Sequence, residues 1–155
     1  MADRLTPEQR RLNMRRVRAK DTKPEIIVRG LLHRTGFRYR LHRRDLPGRP
    51  DIALPRYRAT VFVHGCFWHG HNCSLFRMPT TRPQFWSAKI DSNRRRDAAA
   101  VTGLAEIGWR SLWVWECAVR GKHRLKATEL SERMAAFIRG DARFADIGER
   151  GATGT

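Results

Sequence analysis

The chain has 155 residues, enough for one domain with a substantial hydrophobic core, and its 32 Lys and Arg against 15 Asp and Glu leave a formal charge of +17. An excess of this size points to a polyanion, and a membrane surface is disfavoured because no basic stretch carries an opposing strip of Trp, Phe and Leu. The N-terminus lacks an apolar leader and nothing approaches a transmembrane span; with only three Cys, two of them in a His cluster, the reading is a cytoplasmic protein with a metal site rather than a disulfide framework.

Residues 1–20 read as a basic helix: Thr6 caps it, Pro7 takes the first position and Gln9 completes the box. Leu12, Met14 and Val17 are its few apolar residues among cations that include Arg15 and Arg16. Such a helix buries little and is suited to lie along phosphates, with Met14 either packing down or probing the partner. The main domain is read over residues 21–139. It opens with a second helix on the same pattern, Thr22-Lys23-Pro24-Glu25, with Ile26, Ile27, Leu31 and Leu32 as its core stripe and Gly36 as its stop. Glu25 has a complete explanation as the acid of that cap.

Phe37 to His42 alternates like a half-buried strand, and Leu46-Pro47-Gly48-Arg49 reads as a type II turn. Asp51 then opens a short buried strand, Ile52 to Leu54, and a second turn leads to the apolar strand Ala59–Val63. A hairpin of these two strands sets Asp51 and His64 near one sheet end. Asp51 reads equally well as a turn acid accepting backbone N–H groups.

That second strand empties into VFVHGCFWHGHNC, Val61 to Cys73, around which the chain is organised. Three His and two Cys fall within residues 64–73. Cys66, His71 and Cys73 stand at C-x4-H-x-C spacing, natural for a loop folded round one zinc, which pushes Phe67 and Trp68 outward. Thr81-Arg82-Pro83-Gln84 is expected to cap a third helix running to Ile107, with Phe85, Ile90, Val101 and Leu104 on its core side and Lys89, Asn93 and Arg94 to Arg96 in a cationic middle. Trp109 to Trp115 reads as a strand buried on both faces, closed by Glu116-Cys117, and Leu125 to Ile138 as an amphipathic helix. Residues 140–155 read as a frayed, flexible tail. Cys117 is either a buried thiol or a fourth zinc ligand. Four ligands make a structural site, three plus water a catalytic one; a structural zinc leaves His64 and His69 free for chemistry.

Taken together, LPGRPDIAL, VFVHGCFWHGHNC, TRPQFW and LWVWEC, in this order, resemble the very-short-patch-repair (Vsr) mismatch endonucleases from about Met14 to Arg139. The resemblance implies an α/β, restriction-endonuclease-like core with a central mixed sheet flanked by helices. It also implies a structural Zn2+, a catalytic Mg2+, and nicking of duplex DNA 5′ to the T of a T:G mismatch left by deamination of 5-methylcytosine. By position, Asp51 matches the Mg2+-binding aspartate, His69 the general base, His64 a second active-site imidazole and Glu25 an acid that organises the hydrated ion. The zinc ligands match Cys66, His71, Cys73 and Cys117. Phe67, Trp68 and Trp86 match aromatic wedges, Met14 a residue inserted from the minor groove, and Lys89 and Asn93 contacts to the mismatched pair. Val63 stands where a Thr is familiar; its backbone carbonyl can serve the metal equally well. The implied partners are T:G duplex DNA and, functionally, a DNA cytosine methyltransferase and mismatch-repair proteins, for a monomeric enzyme acting at the nucleoid.

Two other readings compete. A zinc-knuckle nucleic-acid-binding protein without activity leaves Asp51, His64 and His69 without a task. A mononuclear zinc hydrolase lacks a carboxylate inside the cluster. A hard carboxylate suits Mg2+, whereas thiols and imidazole suit zinc, so two kinds of donor set imply two kinds of metal.

Overall fold

A computed structural model describes residues 21–151; the basic helix with Met14, Arg15 and Arg16 lies outside the described residues. The elements are α1 (Lys23–Arg34), β1 (Arg40–Leu41), β2 (Ile52–Leu54), a single 3-10 turn (Pro55–Tyr57), β3 (Ala59–His64), α2 (Pro83–Glu106), β4 (Arg110–Trp115), α3 (Glu116–Val119), α4 (Ala127–Arg139) and β5 (Phe144–Ile147). They build a five-stranded sheet in the order β1-β2-β3-β4-β5. The first two pairings are antiparallel and the last two parallel, so the sheet is mixed.

Strand alternation sorts the core into two layers. Ile52, Leu54, Val61, Leu112 and Val114 point to one face, where Val28, Leu31 and Leu32 of α1 and Leu130, Met134 and Ile138 of α4 cover them. Ala53 and Phe62 point to the other, with Trp113 against the same layer, under Ala100 and Leu104 of α2. The result is the expected restriction-endonuclease-like sandwich of helices on both faces of a mixed sheet. His64 follows Phe62 by two residues, so it emerges beneath α2.

Local chemistry accounts for much of this. Thr22 caps α1 by accepting the Glu25 N–H, and Gly36 stops it at φ 93°. The Arg49 N–H donates to the Leu46 carbonyl at 3.1 Å, closing the Pro47-Gly48 turn. Gly48 is required there: its φ is 77°, and a Cβ would sit 2.3 Å from Ala100 Cβ.

Four expectations are corrected. Ile26 and Ile27 are exposed, and Val28 takes their place with Leu31 and Leu32, because the buried face follows positions 25, 28 and 32 at helical spacing. Strand pairing over 37–42 shrinks to Arg40 and Leu41, since β2 offers only three residues and His42 turns into the left-handed region at φ 50°. Thr81 is not a cap: the N-cap position of α2 is Arg82, left-handed and without a side-chain bond, and Phe85 is exposed on the helix's first turn. Finally, the segment after Gly140 is not a frayed tail through its whole length. Phe144–Ile147 pairs in parallel with Ser111–Val114, supplying a partner to the outer edge of β4.

Candidate active site and metal centre

Glu25 lies on the buried face of α1 and is 3 % exposed. Its carboxylate does not close a reciprocal capping box on Thr22; Oε2 accepts the Asp21 N–H at 3.0 Å instead. Asp51, just before β2, accepts the Val63 N–H on Oδ2 at 2.7 Å, while its own carbonyl accepts the His42 N–H at 3.1 Å. Burial, and then the negative charge of Glu25, push the Asp51 carboxyl up to about 7 despite that hydrogen bond. Two acids crowding one region in this way are the arrangement a hard divalent cation relieves, so the donors present fit one. Asp51 is therefore a turn acid and a paired carboxylate at once.

Across the sheet end, His64 and His69 lie ring against ring at a centroid distance of 4.1 Å. The His69 Nδ1 is 2.5 Å from Asp97 Oδ2 on α2, and the His64 Nε2 is 4.0 Å from Asp97 Oδ1. His64 is buried, which holds its imidazole well below its ordinary pKa, with His69 and His71 adding to the effect. Its Nε2 has no hydrogen-bond partner among the described residues. A buried, neutral ring with a free nitrogen can bond a phosphate oxygen or a water. Asp97 was not singled out in the sequence, where it directly follows the cationic stretch that ends at Arg96. A signal was there: Ile90, Asn93, Asp97, Ala100 and Leu104 form a core-facing stripe, and an acid on such a stripe calls for a partner.

The loop between β3 and α2 carries the second donor set. One ligand atom from each of Cys66, His71, Cys73 and Cys117 falls within 4.8 Å of the others. Cys117 is brought in by β4, whose partner register sets Trp115 beside His64. His71 Nδ1 lies 3.7 Å from Cys66 Sγ and 3.5 Å from Cys117 Sγ, and its ring stacks flat on Trp115 at 4.0 Å. The Cys66 thiol is driven up, first by its bond to Cys117 and then by burial, whereas Cys117 is lowered to about 5, first by that same bond. Backbone N–H groups of Cys117 and Glu149 donate to the sulfurs at 3.3 Å. Soft donors at this density fit a metal ion held by all four groups.

Gly70 seats this loop on α2. Its φ is 62°, and a Cβ would lie 2.6 Å from Ile90 Cγ2. Outward from the loop, Phe67, Trp68 and Trp86 form a triangle with centroid separations of 5.2, 5.3 and 5.8 Å. None of the three is fully buried, and Lys89 beside them is exposed. Asn93 donates its amide to the Trp68 carbonyl at 2.8 Å, so it fixes the loop that carries the aromatic group.

Comparison with known proteins follows the same lines. A family model described as DNA mismatch endonuclease Vsr matches residues 2–75. The type II nicking enzyme V.XorIIP of Xanthomonas oryzae pv. oryzae is 52% identical over 127 residues, covering 82% of this chain and 93% of that protein. DNA mismatch endonuclease Vsr of Escherichia coli is 43% identical over 151 residues, 97% of both chains. The type II nicking enzyme V.NmeAIP of Neisseria meningitidis is 42% identical over 122 residues, 79% of this chain and 87% of its own.

Proposed function

The chain belongs to the Vsr family of DNA mismatch endonucleases and is a DNA-nicking hydrolase; from that premise we propose that it nicks duplex DNA 5′ to the T of a T:G mismatch, in a Mg2+-dependent reaction. The observation that carries the reading is the meeting of His64, His69 and Asp97 at the end of the strand whose Val63 N–H is bound by Asp51.

His69 serves as general base. With Asp97 accepting from Nδ1–H, the Nε2 lone pair is left to take a proton from water, whose oxygen attacks phosphorus as the P–O bond to the leaving nucleotide breaks. Asp97 keeps the tautomer and orientation of the ring. His64, neutral in its buried setting, offers Nε2 to the phosphate or the attacking water. Asp51 and the Val63 carbonyl would hold Mg2+, with Glu25 ordering its water shell; the ion supplies positive charge where the phosphoryl oxygens become more negative. Cys66, His71, Cys73 and Cys117 would hold a structural zinc that shapes the loop carrying His69 and the wedge.

Recognition falls to Phe67, Trp68 and Trp86, entering the base stack where a T:G pair makes unstacking cheaper. Lys89 reads the displaced pair together with Asn93. Residues 1–20, with Met14, Arg15 and Arg16, grip the backbone and the minor groove without regard to sequence. A nicking assay on duplexes differing only in T:G or C:G at one site, with and without Mg2+, tests the reading: nicking of the T:G duplex alone, and only with the ion, is expected. Equal cutting of both duplexes would remove the mismatch from the proposal.

A further inference from the structure

The aromatic surface does not end at the three wedge rings. Phe85 stands beside Trp86 on the first turn of α2, edge-on to it at a centroid distance of 5.2 Å, and is 46 % exposed. The buried layer under this helix is built by Ala100 and Leu104, several turns further along, so the core does not account for the ring. What Phe85 does carry is a cation: the Arg82 guanidinium carbon lies 4.4 Å from the centre of its ring.

Arg82 occupies the N-cap position of α2, yet its side chain bonds no helix N–H. Among the described residues it pairs with no carboxylate, whereas Arg29, Arg43, Arg95 and Arg120 each do. Its backbone is left-handed at φ 54°, a conformation that costs any residue with a Cβ and that persists where the rest of the structure enforces it. The Trp86 N–H donates to the Arg82 carbonyl at 3.2 Å, which ties the same residue to the third ring of the wedge.

A salt bridge would spend the guanidinium's N–H donors within the protein. A cation resting over a ring face keeps them, because the attraction is to the ring's quadrupole and uses no donor. The side chain is thereby ordered in advance, which lowers the entropy lost when it binds. Its forked donors match an acceptor with two oxygens, and beside a wedge that enters a base stack that acceptor is a backbone phosphate. We propose that Arg82 binds one DNA phosphate at the edge of the wedge, with Phe85 as the positioning residue that aims it. The inference rests on the duplex-DNA reading above and adds an anchor outside the mismatched pair. A phosphate carries no sequence information, so the anchor serves T:G and C:G duplexes alike.

The test is fluorescence-anisotropy binding by the zinc-loaded protein without added Mg2+, on T:G and C:G duplexes over a range of salt. A second series uses T:G duplexes in which single phosphates around the mismatch are replaced in turn by neutral methylphosphonates. Arg82→Met is expected to weaken both duplexes by the same factor and to reduce the slope of log Kd against log salt by about 0.9, the share of one phosphate. One methylphosphonate should weaken wild type and leave Arg82→Met unaffected. Phe85→Leu, apolar but without a ring, should lose part of that phosphate's contribution, and Phe85→Tyr should retain it. Three results overturn the proposal: a wild-type salt slope in Arg82→Met, no phosphate whose neutralisation Arg82→Met masks, or a Phe85→Leu protein that matches wild type at every phosphate. Arg82→Gln carries the same comparison if Arg82→Met does not fold. A wild-type protein with equal affinity for T:G and C:G would instead undo the mismatch reading and leave the phosphate measurements standing.

Discussion

His69 Nδ1 lies 2.5 Å from Asp97 Oδ2, joining the Cys/His loop after β3 to the middle of α2 across 28 residues of sequence. The contact assigns the tautomer: a ring that donates from Nδ1 presents a basic Nε2 to the space outside. His64, tilted 31° against it at a centroid distance of 4.1 Å, limits how far that ring can turn.

Asp97→Asn removes the charge that favours this tautomer while preserving shape. General-base assistance is worth about 10²–10⁴-fold, and the substitution is expected to lose most of it in single-turnover nicking. His69→Ala should lose all of it. DNA affinity should stay within several-fold for both. An Asp97→Asn enzyme that nicks at the wild-type rate would remove Asp97 from the mechanism.

Asp51 makes one identifiable contribution to the pH behaviour of the metal-free fold. Its carboxyl is raised from 3.8 to about 7, so its protonation favours the folded state. That contribution is complete below the unfolded pKa and is lost as pH climbs toward 7. Above that, the ionised group weakens the fold by about 2–4 kcal/mol at one pKa unit per 1.36 kcal/mol, allowing for its partial access to solvent. Asp51→Asn should therefore melt higher than wild type at pH 8 without metal, and the gap should close below pH 4. Mg2+ should raise the wild-type melting temperature at pH 8 and leave the variant's unchanged. Identical melting curves across the range would contradict this account.

One zinc per chain should co-purify and resist dialysis. Metal-free folding of small zinc domains differs from the loaded state by on the order of 10 kcal/mol, so Cys117→Ser should lower thermal stability visibly. Unchanged melting after exhaustive chelation, with full nicking, would show that the four donors hold nothing of structural weight.

Trp68→Ala should weaken T:G binding more than C:G binding, by about 1–3 kcal/mol if base–aromatic stacking is what is lost. Asn93→Ala should show part of the same selective loss, since its amide holds the Trp68 carbonyl. Arg15→Ala or Arg16→Ala should weaken both duplexes alike and flatten the salt dependence. Titrations at several salt concentrations separate the two patterns, and equal losses for Trp68→Ala on both duplexes would reduce the wedge to packing.

A stop after Asp141 should be severely destabilising, contrary to what a dispensable tail permits. It removes β5, uncovers the outer edge of β4, and deletes the Glu149 N–H that donates to Cys117 Sγ. Circular dichroism melting and zinc content should fall together; a truncated chain that melts like wild type would mean that β5 contributes no stability.

Local sequence by itself determined the parts whose chemistry is local. The α1 cap and stop, the Pro47-Gly48 turn and the three zinc-type donors within residues 66–73 each follow from neighbours within a few positions, and the structure has them. Composition carried the polyanionic partner, and the motif strings carried the family. Tertiary structure decided what depends on which elements stack. Asp97 looked like one more charge on a polar helix until α2 was laid over His64. Ile26 and Ile27 looked like core until the helix face was chosen. The four-residue strand β5 carries too little periodicity to be read in isolation. It exists because the outer edge of β4 offers unpaired N–H and C=O groups whose satisfaction outweighs the entropy of ordering so short a segment. A sequence states which groups each residue carries; only the register of strands and the stacking of helices states which groups meet.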